Sequence, residues 1–347
     1  MPVIKPDTLT EFVSHIVRAT GATEEGANLV AGSLVRGNLA GHDSHGVVRI
    51  RQYLDTIADG KLDPAAEPVI VNEMGGITKI DAQQSFGQIA AHFAMQVTID
   101  KARTHGLAAT GLMNCNHVGR LGEWVEMAAE QGLIGLAFCN GGRPGGLVAP
   151  FGGAGRLLGT NPIAAAVPVA GRPPVMMDFA TSIAPEGKVR VALNKGVPIP
   201  ADWVLDKQGQ PTPNPQDLYD GGMLLPMAQH KGYGLSLLVE FLGGILTGQG
   251  CPAFPDYPTL RNGVLFIVLS PDAFRPAVDF LNESAALCEQ TKAVPPAPGF
   301  EEVLLPGEPE QHTTERRQVE GIPIDETTWA QLVEAARQWN VSLPNLN

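Results

Sequence analysis

The 347-residue sequence has no CxxC pair. Its four cysteines, Cys115, Cys139, Cys251 and Cys288, are scattered, with no zinc-like spacing. They read as buried, reduced thiols of a cytosolic protein. Basic residues are also short: 24 Lys and Arg face 36 Asp and Glu, a net charge of −12. No basic stripe offsets that total, which argues against a nucleic-acid partner. Long apolar runs are missing too. The longest apolar helical stretch, Tyr233 to Leu246, is interrupted by Glu240 and is too short and too polar to span a bilayer. The opening MPVIKPDTLTEF has neither an apolar h-region nor a cleavage site. The expectation is a cytoplasmic protein with no membrane partner.

A nucleotide fingerprint is the next absence. Glycines crowd the middle of the chain between Gly141 and Gly159, yet Gly153-x-Gly155 is followed by Arg156, Leu157 and Leu158. The third glycine of a dinucleotide turn is therefore out of place. Pro162 then blocks the helix that should offer its N-terminus to a pyrophosphate. No GxxxxGK[ST] loop occurs either. A bound nucleotide would need some other cradle.

What is present is globular: 44% hydrophobic and 17% charged residues. Thr8-x-x-Glu11 reads as a capping box, with Leu9, Phe12, Val13, Ile16 and Val17 on one helical face. A second helix is expected over 23–39 and a third from Ser44 to Gly60. Further on, helical stretches at 89–104 and 121–131 alternate with apolar runs at 107–112, 133–138, 163–169 and 175–179, an α/β pattern. Residues 202–220 read as a surface excursion. A helix over 234–246, a strand at 264–269, a helix over 274–290 and one more helix after Ile324 complete the reading.

Four places could carry chemistry. In GHDSHGVVR (Gly41–Arg49), a helix starting at Ser44 would set His45, Arg49 and Tyr53 at i, i+4 and i+8 on one face. A proton-shuttling His, an Arg able to grip a carboxylate and a Tyr hydroxyl suit a 2-hydroxy acid. A solvated helix face is the plainer reading, and metal binding by His42 and His45 a third. Second, His117 follows a strand and precedes a glycine, the usual place for an α/β catalytic group; a turn or capping His is the alternative. Third, Asp178 in an apolar strand needs a partner, because an isolated buried carboxylate is costly. It could orient a His, bind a ribose, or cap Thr181 and Ser182. Fourth, His230-Lys231-Gly232 opens a helix and suits a phosphate or carboxylate.

Read in series, Gly41–Arg49, Asn116–Gly119 (NHVG), Val148–Gly153 (VAPFGG), Gly159–Pro162 (GTNP), Met177–Ser182 (MDFATS), His230–Leu235 (HKGYGL) and Pro295–Phe300 (PPAPGF) resemble the malate/L-lactate dehydrogenase family of the non-Rossmann type. That family includes ureidoglycolate and sulfolactate dehydrogenases and piperideine-2-carboxylate reductases. The resemblance implies an α/β, non-Rossmann NAD(P)-binding fold with mixed sheets and an N-terminal helical domain. It divides the chain into 1–75 with 300–347 (helical, dimerising), 76–120 with 230–299 (central α/β) and 121–229 (NAD(P)-binding). It also implies a homodimer, NAD or NADP as cofactor, and a small carboxylate as substrate.

Residue by residue, the resemblance makes His117 the acid/base, with His45 as second choice, and places Ser44, Arg49 and Tyr53 in the substrate pocket. Thr160, Asn161, Asp178, Phe179, Ala180 and Lys231 become cofactor contacts, and Gly307 and Glu308 the adenosine-side contact. Departures at 120–124, at the glycine-rich 141–146 and at Met227-Ala228-Gln229, where relatives carry glycine, bear on the substrate's identity. The implied reaction moves a hydride between nicotinamide and a 2-hydroxy acid. Reduction of a cyclic imine is the nearest variant. A metal-dependent hydrolase or lyase using His42, His45 and Asp178 is the reading from another class.

Overall fold

In a computed structural model, which describes residues 2–258 and 261–344, a helical layer built from both chain ends lies beside a mixed sheet and joins it through the helix Gly87–His105. Strand β1 (Val3–Ile4) leads into α1 (Pro6–Ala19) and α2 (Glu24–Leu39). The expected capping box is not what starts α1. Pro6 already has the helical φ and no N–H to satisfy, so the helix begins ahead of Thr8, with Lys5 as N-cap. Thr23 does cap α2, accepting from the Gly26 N–H at 3.1 Å, with Glu24 and Glu25 in the first turn. Leu9, Phe12, Val13, Ile16 and Val17 are buried against Val30, Leu34 and Val35 of α2.

The expected third helix is two pieces. A 3₁₀ turn spans Asp43–His45, and α3 is Arg49–Ala58. The break is at Gly46, whose extended backbone (φ −88°, ψ −154°) lies against the Asn38 side chain, with no room for a Cβ. Asn38 Oδ1 then accepts the Val47 N–H at 2.9 Å. His45 therefore sits on a turn, and only Arg49 and Tyr53 share a helix.

The hairpin β2 (Val69–Met74) and β3 (Ile77–Asp81) precedes α4 (Gly87–His105), which ends at the left-handed Gly106. Then come β4 (Leu107–Cys115), α5 (Leu121–Ala129), β5 (Ile134–Gly141), β6 (Pro162–Val169), β7 (Arg172–Ala180) and α6 (Glu186–Lys195). The 202–220 excursion holds β8 (Val204–Leu205), β9 (Pro211–Thr212) and α7 (Gln216–Tyr219), and β10 (Met223–Leu224) follows it. Helix α8 (His230–Val239) opens at HKGYG and runs on as a π-helical segment, Glu240–Ile245. The chain closes with β11 (Asn262–Leu269), α9 (Ala277–Lys292), α10 (Glu308–Glu320), β12 (Ile322–Pro323) and α11 (Glu326–Gln338).

One seven-stranded sheet carries the order β2-β3-β4-β11-β5-β6-β7, and only β3 and β4 pair in parallel. A parallel Rossmann sheet is thereby ruled out as its architecture. Through β11 the sheet is continuous across residue 120, where the family resemblance places a domain boundary. Val264, Phe266 and Val268 of β11 meet α4 and α5 residues in the central core, and Leu265 on the opposite face is also buried. A strand covered on both faces reads as a continuous apolar run, as this one does. The chain ends join where β1 pairs antiparallel with β12, Ile4 opposite Ile322. Among the described residues no helix is long and apolar enough to cross a membrane.

Candidate active site

Helix α4 sets the depth of the site. Gly87, at its first turn, lies against the backbone carbonyls of Asn116 and His117, a contact that any Cβ would block. The loop after β4 is fixed from three sides. Asn116 Nδ2 donates to Gln84 O at 2.8 Å and Ser85 O at 3.1 Å, and the Val118 N–H donates to Asn262 Oδ1 at 3.1 Å. The GHDSHG turn is fixed just as firmly. Asn38 Nδ2 and Arg317 both donate to Asp43 Oδ1 at 2.7 Å, and His42 Nε2 meets Glu310 at 3.1 Å.

Between these supports the two histidines stack. Their rings are 5.3 Å apart and 7° from parallel, with His45 Nδ1 3.2 Å from His117 Nε2. His117 Nδ1 is 2.9 Å from the Tyr53 hydroxyl, which accepts from Gln88 Nε2 at 2.6 Å. Gln88, Tyr53, His117 and His45 thus form one hydrogen-bonded chain. Both nitrogens of His117 are engaged inside it. His45 Nε2 is the ring nitrogen left without a partner among the described residues.

Burial dominates the electrostatics. It lowers the pKa of His45 to about 3, with Arg49, His42 and Arg120 adding to the effect. It also holds His117 well below the usual histidine value, again helped by Arg49 and by His45. Tyr53 is pushed up to about 12 by burial, so it stays a phenol. At neutral pH the free protein holds all three groups uncharged.

His45, Arg49 and His117 line a cavity of about 410 Å³, together with Gln52, Thr160, Glu186, Arg190, Tyr219, Gly159 and the segment Gly141–Arg143. Arg49 is anchored by Nε to Ser44 O and by one terminal nitrogen to Gln52 Oε1, each at 2.6 Å, leaving its second terminal nitrogen uncommitted. Ser44 enters through that carbonyl. A second cavity, about 340 Å³, holds Arg36, Arg120, Arg172, Met176, Gly307 and Glu308. The two flank a single tripeptide: Gly119 and Leu121 line the first, Arg120 the second.

The other expected site residues are spread around these cavities. Thr160 is in the first wall. Asn161 lies behind it, fully buried, with Nδ2 donating to Glu240 Oε1 at 2.8 Å and Ser236 Oγ at 3.0 Å. Asp178 lines neither cavity. It accepts the Gly122 N–H at the start of α5 at 2.7 Å, and burial raises its pKa. Its partner is thus a helix N-terminus, and neither Thr181 nor Ser182 is capped by it. Phe179 is exposed and Ala180 half-buried on β7. Lys231 stands exposed in the first turn of α8, outside both cavities and without an ion pair among the described residues. Just before it, Ala228 and Gln229 take φ of 44° and 58°, the left-handed region that favours the glycine absent here. Gly307 and Glu308 line the second cavity, and Glu308 binds Arg172 at 2.8 Å and Lys292 at 2.7 Å.

The metal reading loses its ligand set. His42 turns to Glu310, His45 to His117 and Asp178 to a backbone N–H. Among the described residues, no three His, Cys, Asp or Glu side chains gather as a metal would need. Residues that the sequence did not single out are Gln88, Gln52, Arg143, Glu186, Arg190, Tyr219 and Glu240. Only Arg143 had a signal, its place in the glycine-rich 141–146 segment.

Comparison with known proteins decides the lineage. The family model described as malate/L-lactate dehydrogenase matches residues 4–333. The chain belongs to the malate/L-lactate dehydrogenase family. Within it, the chain is 39% identical over 340 residues to hydroxycarboxylate dehydrogenase B of Escherichia coli O157:H7, covering 95% of this chain and 92% of that one. Among solved structures it matches sulfolactate dehydrogenase from Methanocaldococcus jannaschii with a TM-score of 0.90 at 32% identity, covering 98% of both chains. The delta1-piperideine-2-carboxylate reductase from Pseudomonas syringae pvar. tomato matches with a TM-score of 0.86 at 34% identity, over 97% of this chain and all of that one. The malate/L-lactate dehydrogenase family thus accounts for nearly the whole chain, its mixed sheet included.

Proposed function

We propose that this protein is a cytoplasmic NAD(P)-dependent dehydrogenase that interconverts a small 2-hydroxy acid and its 2-oxo acid. The observation that carries this reading is the Gln88–Tyr53–His117–His45 chain, whose free end lies beside Arg49 in one cavity. Arg49 has a guanidinium edge to offer a carboxylate. His45 Nε2 has a lone pair or a proton to offer the C2 oxygen, and the rest of the chain fixes which.

The tautomers follow from one residue. With Gln88 donating to Tyr53, the phenol donates to His117 Nδ1, His117 Nε2–H donates to His45 Nδ1, and His45 Nε2 carries a proton. Turning the Gln88 amide reverses every donor and leaves a lone pair at His45 Nε2, the form that takes a proton from a hydroxy acid. This moves the proton-transfer role to His45 and makes His117 the group that orients it. An anion seated on Arg49 offsets a charge that holds both histidines down, so substrate binding raises their proton affinity.

The residues fit a nicotinamide dinucleotide, which supplies or accepts the hydride when bound. Arg120 Nε and Arg172 Nε, in the wall of the second cavity, and Asn161 Oδ1, behind Thr160, are buried without a hydrogen-bond partner. Buried polar atoms without partners are uncommon in finished structures. Thr160 and Asn161 would hold one end and Gly307 and Glu308 the other, with Asp178, Phe179, Ala180 and Lys231 as the remaining contacts. A cyclic imine in place of the oxo acid is the second reading, favoured by the likeness to the solved reductase.

We further propose a homodimer. Leu238, Phe241, Ile245 and Leu246 run along α8 and its π-helical extension, each at least 41% exposed. An apolar helical stripe of this kind commonly marks a subunit contact.

Titrating NADH and NADPH separately by fluorescence, then adding a panel of 2-oxo acids and cyclic imines, tests the function. Saturable binding followed by oxidation of the nucleotide is expected. Binding of neither nucleotide would remove the proposal at its root.

A further inference from the structure

Helix α10 is held in place without a core of its own. None of its residues is buried, and Val319, its one aliphatic side chain, is 75% exposed. What holds it is polar. Arg317 donates to Asp43 at 2.7 and 3.1 Å and to the Asn38 carbonyl, and Glu310 meets His42 at 3.1 Å. Glu308 pairs with Arg172 at 2.8 Å and Lys292 at 2.7 Å, and Lys5 Nζ donates to the Val319 carbonyl at 2.7 Å. Ion pairs open to solvent each add little and are screened by salt. A helix with no buried apolar contact belongs to the low end of local stability.

The two ends of α10 are the opposite. Just before it, Leu305 is buried and the Pro306 carbonyl accepts the Met176 N–H at 3.0 Å. Just after it, Ile322 is fully buried and pairs with Ile4. One glycine stands between each anchor and the helix. Gly307 holds φ of 97° and Gly321 φ of 99°, backbone that other residues adopt only at a cost. Anchored ends, a glycine joint at each and a span held by polar contacts are the parts of a hinged cover.

That span borders the second cavity. Glu308, Glu310, Gln311, Thr314, Glu315 and Gln318 line it, whereas its other walls come mainly from β7 and α2, which are tied into the sheet and the helical core. The contacts of α10 with His42 and Asp43 end on the turn that presents His45. We propose that α10 is a lid. It swings on Gly307 and Gly321 to admit the dinucleotide to the second cavity, and its return restores the hold on His42 and Asp43, so that a seated nucleotide steadies the His45 turn. The inference rests on the dehydrogenase reading, with its nucleotide in that cavity, and adds the route by which the nucleotide enters.

The test is a lock. A Cβ added at Gly41 lies 3.8 Å from the Thr313 Cβ on α10, the separation a disulfide spans, and all four native cysteines are buried. In the full-length Gly41→Cys, Thr313→Cys double variant, oxidation pins α10 to the GHDSHG turn and a thiol reductant frees it. Because Gly41 holds φ of 83°, the reduced variant is the reference for both rates. Stopped-flow fluorescence with NADH or NADPH should show association and release both slowed at least about 10-fold by oxidation, with Kd kept within about 3-fold. A disturbed cavity would instead speed release and weaken Kd. In the wild type without nucleotide, α10 amides should exchange hydrogen at least about 10-fold faster than those of α11, which buries Leu332, Ala335 and Ala336, and raised salt should speed them further. Equal rates before and after oxidation, a change confined to Kd, or α10 amides as protected as those of α11 would overturn the lid and leave the dehydrogenase intact. Binding of neither nucleotide by the wild type would overturn the underlying reading and this inference together.

Discussion

Residues His45 and His117 differ in what they have left to give. His117 uses both nitrogens within the protein, whereas His45 keeps one for the cavity. His45→Gln should therefore cut kcat by about 10²- to 10⁴-fold with nucleotide affinity little changed. Tyr53→Phe removes only the hydroxyl that fixes His117, and its effect should appear as a shifted pH–rate profile with a smaller loss of kcat. Equal losses from both variants would contradict this division of roles. The same burial has a cost in acid. Unfolded, each histidine takes up its proton near 6.5; folded, His45 does so at about 3 and His117 also well below 6.5. Between those values the unfolded chain binds more protons, so stability falls as pH falls from about 6.5; above that pH the pair contributes no pH dependence. Melting temperatures from pH 7.5 to 4.5 should show a steeper acid loss for the wild type than for the His45→Gln, His117→Gln double variant.

At the scale of elements, the close approach of α4 to the His117 loop rests on Gly87. Gly87→Ala would drive a methyl into the His117 carbonyl. Its cost should be about 2–4 kcal/mol, read from urea unfolding, with an accompanying loss of activity. The π-helical segment offers a second test. Glu240 is buried, accepts from Asn140 at 3.0 Å and Asn161 at 2.8 Å, and has its pKa raised by burial. Glu240→Leu takes one acceptor from each amide and should destabilise by about 1–3 kcal/mol, while Glu240→Gln retains most of the stability. Sequence patterns made β4, β5, β6, β7 and β11 legible because each strand is apolar and short. They hid β2, whose six residues are all exposed at the sheet edge and so show no alternation. They also hid α10, which buries no residue and has no apolar stripe to betray it. His45, Arg49 and Tyr53 were readable as a group from their spacing, although a turn, rather than one helix, brings His45 to the others. Gln88, Glu186, Arg190 and Tyr219 reach the site from three separate helices, and no local motif records such a meeting.

For the whole molecule, the exposed stripe on α8 predicts association. Sedimentation should report a dimer, and Phe241→Glu should yield monomers without disturbing the central core, which lies on other residues. A wild-type monomer at micromolar concentration would contradict the homodimer. Lys231 begins the same helix, so loss of activity in the Phe241→Glu monomer would connect the second subunit to the site.

The turn that presents His45 is held by residues near the other end of the chain. Arg317 and Glu310 grip Asp43 and His42, and β12 pairs with β1. The helical core likewise mixes Leu9, Leu34 and Ile50 with Ile322, Leu332 and Ala336. During synthesis the first sixty residues emerge long before the segments that secure them. The turn that presents His45 is translated early but gains these supports only once residues 310–323 have been made, so a chain stalled before residue 308 should leave it unsecured.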